Sequence, residues 1–328
     1  MPNIKSVAAH ANVSSATVSR VLNNDPRVSP EVRARVRASI AELGYRPNRI
    51  ARSLRKQTSE TIGLIVSDIE NPHFTRAVRT IESAAYEQGY RVVLCNTDES
   101  PEKQKSYLEV LAAEQVIGII LVPATSDDLT ISQVLDLGVP IVALDRTVDD
   151  ERADAVLTDN VTAAREATRH LINRGRTCIG FIAGRSEIRT GRDRLYGYQL
   201  AMEEVGQEPI IATGGFRMDI AQRATAELLR DNPDLDGVVI GNNLMSIGAL
   251  QALKESGRRV PEDIALVGID DPPWAALVSP AMTAFAQPTH AMAHAAFEML
   301  ISRIRKERVV PREMVFQFEL KVRESCGG

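Results

Sequence analysis

Polar side chains that can pair with hydroxyl groups follow several β-rich runs of the chain. They are Asp68, Asp145 with Arg146, Arg185, Asn242 and Asp270. Ligands of open parallel sheets bind beyond the carboxyl ends of the strands, so we predict that these side chains line one site. Phe74 and Phe216 add aromatic faces for a sugar or polyol. For any single residue the alternative is a solvated loop or helix cap, and that alternative is favoured for Arg185 and Arg146.

A second group of side chains is suited to DNA. Residues 15–20 carry short polar side chains and one arginine, the composition of a helix that enters the major groove. The candidate base contacts are Ser15, Ala16 and Arg20, and the candidate phosphate contacts are Ser14, Thr17 and Asn23. The alternative is that these residues only face solvent.

The charge distribution favours the DNA interpretation. Residues 1–56 contain eleven Lys or Arg against three acids, a net charge of +8, whereas the rest of the chain carries −12 within the total of −4. A basic head on an acidic body indicates a polyanionic partner at one end only.

The head has the pattern of three helices. Apolar residues in 4–23 have helical spacing with one interruption, where Asn12 suits a tight turn and Ser14 can cap the next helix. A third helix is expected from the cap Ser29 and Pro30 to the stop at Gly44. These features together predict a helix-turn-helix headpiece.

The stretch 48–56 follows as one short helix capped by Asn48 and too charged to be stable alone. We expect it to fold on DNA and against a second copy. Leu54 then has the composition of a minor-groove wedge, with Arg55 as a flanking phosphate contact and Asn48 as a further candidate DNA contact. The alternative for Leu54 is an apolar anchor onto the body domain.

From residue 60 onward, seven β-rich runs alternate with helical stretches: TIGLIV, RVVLC, GIILV, PIVAL, CIGFIA, GVVIG and IALVGI. Alternation at this spacing predicts parallel sheets wrapped by helices. The number of strands exceeds one comfortable sheet, so we expect two similar doubly wound α/β lobes behind a small all-α headpiece.

The motifs TVSRVLN and GYRPNRIARSL resemble the headpiece and hinge of the LacI/GalR (lactose/galactose repressor) family. The resemblance implies a DNA-binding domain over 1–57, with hinge helix 48–56, and an effector-binding and dimerisation domain over 58–328 that is similar to periplasmic sugar-binding proteins. It places the crossovers between lobes near Asp159, Gln287-Pro288 and Val315. The N-lobe would then take about 60–158 and 288–315, and the C-lobe the rest.

The resemblance also implies functional residues. Arg194, Asn242 and Asp270 match effector-gripping positions, Asp68 and Phe74 match the N-lobe side, and Leu54 matches the hinge leucine that opens the central base step. The chain departs from the family pattern at Asn243, where relatives commonly carry Asp, and at Ile188, where some purine-binding relatives carry Arg. A sugar or sugar derivative is therefore expected rather than a purine. An unpaired Arg194 keeps a sugar acid open.

Enzymatic patterns are absent from the sequence: it has no phosphate-cradling loop and no nucleophile elbow. His290 and His294 lie four residues apart without a third ligand, and the three cysteines form no metal spacing, so no metal and no cofactor are expected. No membrane span or signal peptide is evident, so the expected location is cytoplasmic. We predict a homodimeric, non-enzymatic regulator, most simply a repressor. The alternatives are a solute-binding receptor and a carbohydrate-acting enzyme with a fused DNA-binding head.

Overall fold

The computed structural model describes residues 3–22, 25–45 and 60–327. The chain divides into two compact units, one up to residue 59 and one from residue 60 onward. The first contains the helices of the head. The second contains two six-stranded sheets and the helices that cover them.

The head consists of three helices, α1 Ile4–His10, α2 Ser15–Leu22 and α3 Pro30–Glu42. They enclose a small core whose buried members are Val7, Ala8, Ala11, Val18, Val21 and Val36. The helix-turn-helix predicted from the apolar spacing is confirmed. The core is small because the head has few apolar residues to bury.

The local signals of the head act as the sequence predicts. Asn12 adopts a left-handed conformation with φ of +49°, which makes the tight turn between α1 and α2. Ser14 Oγ accepts from the Thr17 backbone N–H at 3.1 Å and so caps α2. Ser29 caps α3, Pro30 is its first residue, and Gly44 has φ of +60° beyond its end.

The body contains twelve strands among the described residues. Their bounds are β1 Thr61–Val66, β2 Arg91–Asn96, β3 Ile119–Leu121, β4 Ile141–Leu144, β5 Asp154–Thr158, β6 Ile179–Ala183, β7 Ile210–Thr213, β8 Gly237–Ile240, β9 Ala265–Ile269, β10 Thr283–Ala286, β11 Glu313–Phe316 and β12 Glu319–Lys321. The N-lobe sheet has the order β11-β5-β4-β3-β1-β2, and the C-lobe sheet has the equivalent order β12-β10-β9-β8-β6-β7. All neighbours pair in parallel except β10 and β12.

Five strands, β5, β7, β10, β11 and β12, were not among the seven runs predicted from sequence. Three of them, β7, β11 and β12, are edge strands of three or four residues whose apolar runs are too short to stand out in the sequence. The other two are short and contain small or polar residues. The two-lobe architecture nevertheless follows from the seven predicted strands.

Eight helices cover the sheets in the described body. Their bounds are α4 Pro72–Glu87, α5 Pro101–Ala113, α6 Leu129–Asp136, α7 Asn160–Ile172, α8 Arg189–Glu204, α9 Met218–Asp231, α10 Asn243–Ser256 and α11 Thr289–Ile304. In the N-lobe, α4 and α11 pack on one face of the sheet and α5 and α6 on the other. In the C-lobe, α7 and α8 pack on one face and α9 and α10 on the other. Each sheet therefore lies between two apolar cores.

The chain passes between the lobes at three crossover segments. The first, at Asp159, joins β5 to α7, and the second, at Gln287-Pro288, joins β10 to α11. The third lies at 317–318, between β11 of one sheet and β12 of the other. The expected boundary near Val315 falls inside β11, because that strand continues its pairing with β5 to Phe316.

Candidate functional site

A cavity of about 470 Å³ lies where the carboxyl ends of the strands of both lobes face each other. All seven residues predicted to bind the effector line it: Asp68, Phe74, Arg146, Arg194, Phe216, Asn242 and Asp270. The structure therefore brings together side chains that are up to 202 positions apart in sequence, from both lobes. The strand topology explains this, since the ends of parallel strands meet at one sheet edge.

Two aspartates occupy equivalent positions of the two sheets. Asp145 follows β4 and Asp270 follows β9, with φ of +70° and +75°. The N–H of Asp145 donates to Val156 O of β5, and that of Asp270 donates to Phe285 O of β10. This left-handed turn at each strand end suits aspartate better than most side chains, and it places one buried carboxylate in each wall of the cleft.

Arg146 is buried and paired within the N-lobe. Its Nη1 and Nη2 donate to the two carboxylate oxygens of Glu99, both at 2.7 Å, and Nη1 also donates to Pro123 O. The favoured interpretation of Arg146 as a solvated loop residue is wrong, because the Glu99 carboxylate draws the guanidinium inward. Arg185 is different: its side chain is 42% exposed at the rim, near Glu187.

The N-lobe wall also contains polar atoms without hydrogen-bond partners. His73 Nε2 and Asp145 Oδ1 are 3.8 Å apart and both buried, and neither makes a hydrogen bond within the described part of the chain. Arg146 Nε lies 3.6 Å from Asp145 Oδ2, within ion-pair distance, and likewise makes no hydrogen bond there. Buried polar atoms are usually satisfied, so this cluster of exceptions is unusual, and because the three atoms have almost no accessible surface they are not themselves open to a ligand in this arrangement.

Arg194 in the C-lobe wall is buried and has only neutral partners. Its Nε donates to Asn160 Oδ1 and its Nη1 to Gly241 O, both at 2.7 Å. The neighbouring Asp193 faces Arg189 instead, at 3.5 Å, and Arg194 forms no ion pair with any described carboxylate. Its charge is therefore available to a ligand.

Asp270 and Asn242 complete the polar part of that wall. Asp270 Oδ1 accepts from Gln287 Nε2 at 2.7 Å, again a neutral partner. Asn242 caps α10 through Oδ1, which accepts from the Met245 N–H at 2.8 Å. Asn242 is therefore a helix cap, as the alternative interpretation expected, and its Nδ2 group remains as a donor beside the cavity.

The two aromatic residues differ in access. Phe74 is 4% exposed and packs edge-on against His73, so most of its ring belongs to the N-lobe core. Phe216 has φ of +63° and lies close over Gly184, where a Cβ atom would come within 2.2 Å of the ring. Phe216 is the aromatic face that remains partly accessible.

Acidic residues gather at the N-lobe rim. Burial raises the pKa of Asp68, with a further contribution from Glu70, Asp98 and Glu99. Sequence reasoning missed Asp98 and Glu99 as lining residues. Their position carries a signal, since both lie within three residues of the end of β2, at the carboxyl end of a strand where ligands of parallel sheets bind. Asp145 and Arg185, which also follow predicted strands, line the cavity as well.

The candidate DNA-binding residues of α2 are displayed on its outer side. Ala16 and Arg20 are exposed, and Ser15 and Thr17 are partly exposed, while Val18 and Val21 face the core. Ser14 Oγ is engaged with Thr17 Oγ1 at 2.9 Å. Four further candidates, Asn23, Asn48, Leu54 and Arg55, lie outside the described residues, as does the predicted hinge helix 48–56.

Other predicted features of the body can be located as well. His290 and His294 are both exposed on α11 with ring centroids 6.5 Å apart, and no group of three metal-ligating side chains occurs in the described ranges. Cys95, Cys178 and Cys326 are free thiols. None of the described helices is long and apolar enough to cross a bilayer.

Comparison with family models and relatives covers nearly the whole chain. Residues 3–48 match the bacterial regulatory proteins of the lacI family, and residues 59–324 match the periplasmic binding proteins and sugar binding domain of the LacI family. The ribose operon repressor of Halalkalibacterium halodurans is 38% identical over 328 residues, covering 100% of this chain and 98% of the relative. The regulator CelR of Thermobifida fusca is 38% identical over 335 residues, covering 99% and 98%.

Solved structures give the same result. The lac repressor dimer bound to operator and the anti-inducer ONPF is 27% identical, with a TM-score of 0.87 and 99% of each chain covered. The CelR–cellobiose complex is 36% identical, with a TM-score of 0.75, covering 99% of this chain and 100% of that one. Head and body together define a DNA-binding transcriptional regulator with a ligand-binding domain. The chain belongs to the LacI family.

Proposed function

We propose that the cleft binds a sugar and that this binding controls the affinity of the headpiece for operator DNA. The observation that carries the proposal is that Arg194 and Asp270, on one wall of the cleft, are buried with neutral partners only. A sugar hydroxyl can accept from a guanidinium and donate to a carboxylate at once, so the pair suits a polyol. The structure of CelR with cellobiose and that of a LacI-family regulator with ribose support the ligand class.

The charge of the lining favours an uncharged sugar. Six carboxylates, Asp68, Asp98, Glu99, Asp145, Glu187 and Asp270, face four arginines, Arg146, Arg185, Arg194 and Arg217. An anionic ligand would add a charge of the sign already in excess. A sugar acid is the second candidate, because no carboxylate of the described residues pairs with Arg194 and its guanidinium can bind that of a ligand.

The proposed DNA site is the outer face of α2, with Ser15, Ala16 and Arg20 at base edges and Ser14 and Thr17 at phosphates. A homodimer would place two such helices one helical turn apart on a palindromic operator, as the dimeric lac repressor–operator complex suggests. A regulator of this kind acts in the cytoplasm, where the DNA is, and performs no catalysis.

We place the boundary between its two domains at 57/58.

The coupling follows from the three crossovers. A sugar that touches both walls of the cleft favours one angle between the lobes, and an angle that differs between the DNA-bound and free dimer links the two affinities reciprocally.

The test is a thermal-shift screen of the full chain with D-ribose, D-glucose, cellobiose, D-gluconate and glucose 6-phosphate. We expect a neutral sugar to raise the melting temperature of the wild type and of Asp271→Asn, and to leave Asp270→Asn unchanged. Asp271 is the matched control, since it neighbours Asp270 but pairs with Arg323 outside the cavity. If only the anionic compounds raise the melting temperature, the ligand is a sugar acid or a related anion and not a neutral sugar. An equal response of Asp270→Asn, or conversion of a bound sugar, would contradict the proposal.

A further inference from the structure

Five buried or partly buried side chains form one continuous hydrogen-bonded series. Its two ends are the proposed ligand-binding groups of the C-lobe, Arg194 and Asp270, and three side chains lie between them. Arg194 Nε donates to Asn160 Oδ1 at 2.7 Å, and Asn160 Nδ2 donates to Thr158, to its carbonyl at 3.2 Å and its Oγ1 at 3.4 Å. Thr158 Oγ1 donates to Gln287 Oε1 at 3.2 Å, and Gln287 Nε2 donates to Asp270 Oδ1 at 2.7 Å. We call this series the crossover relay.

Every bond of the crossover relay points the same way. The series begins at a guanidinium, which can only donate, and ends at a carboxylate, which accepts. Each bond polarises the next when the donors are aligned in a buried environment, so the relay is stronger as a unit than its separate bonds. Breaking it at any member weakens the hold on both Arg194 and Asp270.

The members between the two ends lie at the passages between the lobes. Thr158 is the last residue of β5 in the N-lobe sheet, and Asn160 is the first residue of α7 in the C-lobe, on either side of the first crossover. Gln287 is in the second crossover, between β10 and α11. The Asp159 N–H also donates to Phe316 O beside the third crossover. The relay therefore connects the segments that must bend when the lobes change their angle.

A branch reaches the other wall of the cleft. Thr289 Oγ1 lies 3.4 Å from Gln287 O and 3.0 Å from His73 Nδ1, and His73 Nε2 in turn faces Asp145 Oδ1 at 3.8 Å. The crossover at Gln287 is thus in polar contact with ligand-facing groups of both lobes. Packing of the crossover segments alone would not require these directed hydrogen bonds.

We infer that Thr158, Asn160 and Gln287 are positioning residues that transmit the grip of a sugar on Arg194 and Asp270 to the crossover segments. The inference rests on the proposed function, which supplies the sugar. The relay fixes the separation of the two end groups when the cleft is free. A hydroxyl held between them closes the relay into a ring, which stiffens the first and second crossovers.

The first test needs no ligand and measures amide hydrogen exchange of the full chain. Thr158→Val removes one hydroxyl at constant shape and leaves Gln287 Oε1 without its donor. We expect exchange in segments 155–161 and 285–291 to become about threefold to tenfold faster, the range that the loss of one buried hydrogen bond allows. Thr158→Ser should restore the wild-type rates, because it keeps the hydroxyl.

The control is Thr168→Val, since Thr168 is also buried and donates its hydroxyl, but to Ala164 O within α7. It should leave both crossover segments unchanged. Equal effects of the two valine variants, or no local change in Thr158→Val, would overturn the inference. Gln287→Met cuts the relay at a partly exposed residue and provides the same measurement if Thr158→Val fails to fold.

The second test adds D-ribose, D-glucose and cellobiose in turn. In the wild type the bound sugar should slow exchange in 285–291. In Thr158→Val, a variant at a residue that does not line the cavity, the sugar should still bind, with affinity within about tenfold of the wild type, but this protection should be lost. Undiminished protection in this variant would overturn the inference. If none of the sugars stabilises the wild type, the proposed ligand class is wrong, and the ligand-free test still decides the relay.

Discussion

The two lobes have the same strand order but treat their charged groups differently. In the N-lobe wall, the Arg146 guanidinium binds both oxygens of Glu99 and lies beside Asp145. In the C-lobe wall, Arg194 and Asp270 are equally buried but have neutral amide and carbonyl partners. One wall pairs its buried arginine with carboxylates, and the other gives its buried arginine only neutral partners.

The difference teaches that burial beside the cleft does not by itself determine what a charged residue is paired with. Arg146 and Arg194 have nearly the same exposure, 6% and 4%. They differ in their partners: Arg146 is paired with a carboxylate of the protein, and Arg194 is not paired with any described carboxylate. A paired arginine holds the wall together, and an arginine with neutral partners can exchange its interactions for those of a sugar.

The largest expected effect is on stability when each arginine is removed. Arg146→Met leaves the carboxylates of Glu99 and Asp145 without their cation, and we expect a loss of about 3–5 kcal/mol in the free energy of unfolding. Arg194→Met removes two hydrogen bonds to neutral acceptors, and we expect a loss of about 1–3 kcal/mol together with loss of sugar binding. Urea unfolding of both variants measures this. A larger loss for Arg194→Met would contradict the comparison.

A second difference between the lobes lies in the cores. Tyr198 and Ile81 are both the tenth residue of a sixteen-residue helix, α8 and α4, and both are fully buried. Tyr198 Oη donates to Ile179 O and accepts from the Ile210 N–H, both at 2.8 Å. Burial raises the pKa of Tyr198 to about 12. The C-lobe therefore contains a titrating group at a position where the N-lobe has none.

We expect this tyrosine to make the C-lobe sensitive to alkali. The phenol keeps its proton more tightly in the folded chain than its ordinary pKa of about 10 allows, so its contribution to stability is present below about pH 10 and is lost as pH rises towards about 12. The loss is on the order of 2–3 kcal/mol. Unfolding midpoints across this range should fall less steeply in Tyr198→Phe than in the wild type. Tyr196→Phe, which alters an exposed tyrosine of the same helix, should behave as the wild type.

The two-lobe α/β architecture could be predicted from sequence, but the different pairing of the buried arginines in the two lobes could not. Asp145 and Asp270 are recognisable from sequence because each follows an apolar run, and strand topology then determines that they face one cleft. The pairing of Arg146 with Glu99 is not recognisable, because the two residues are 47 positions apart and meet only when β2 and β4 end at the same edge.

The same reason applies to the crossover relay. Thr158, Asn160 and Gln287 look like ordinary strand-end and helix-start residues in the sequence, and the register that places Thr158 Oγ1 against Gln287 Oε1 depends on both sheets at once. Edge strands such as β11 were missed because their apolar runs are short. Local signals such as the caps at Ser14 and Ser29 could be predicted, since their partners are three residues away.

The smallest expected effect concerns the contact that joins the lobes across the cleft. Asn243 Nδ2 at the start of α10 donates to Asn71 Oδ1 at the start of α4, at 2.9 Å, and both residues are buried. Asn71 Oδ1 also accepts from the His73 N–H, so it keeps a partner in Asn243→Ala. We therefore expect Asn243→Ala to destabilise this arrangement of the two lobes by about 1 kcal/mol.

If a sugar selects this arrangement, Asn243→Ala should weaken its affinity by as much as about fivefold, since the apparent affinity falls in proportion to the populated fraction of the binding-competent state. Titration calorimetry with the sugar found in the screen measures the change. Asn232→Ala is the control, because the Asn232 amide donates to Leu228 O within the C-lobe and should leave the affinity unchanged. Equal affinities in wild type and Asn243→Ala would mean that the crossovers, and not this contact, hold the two unlike walls at their binding distance.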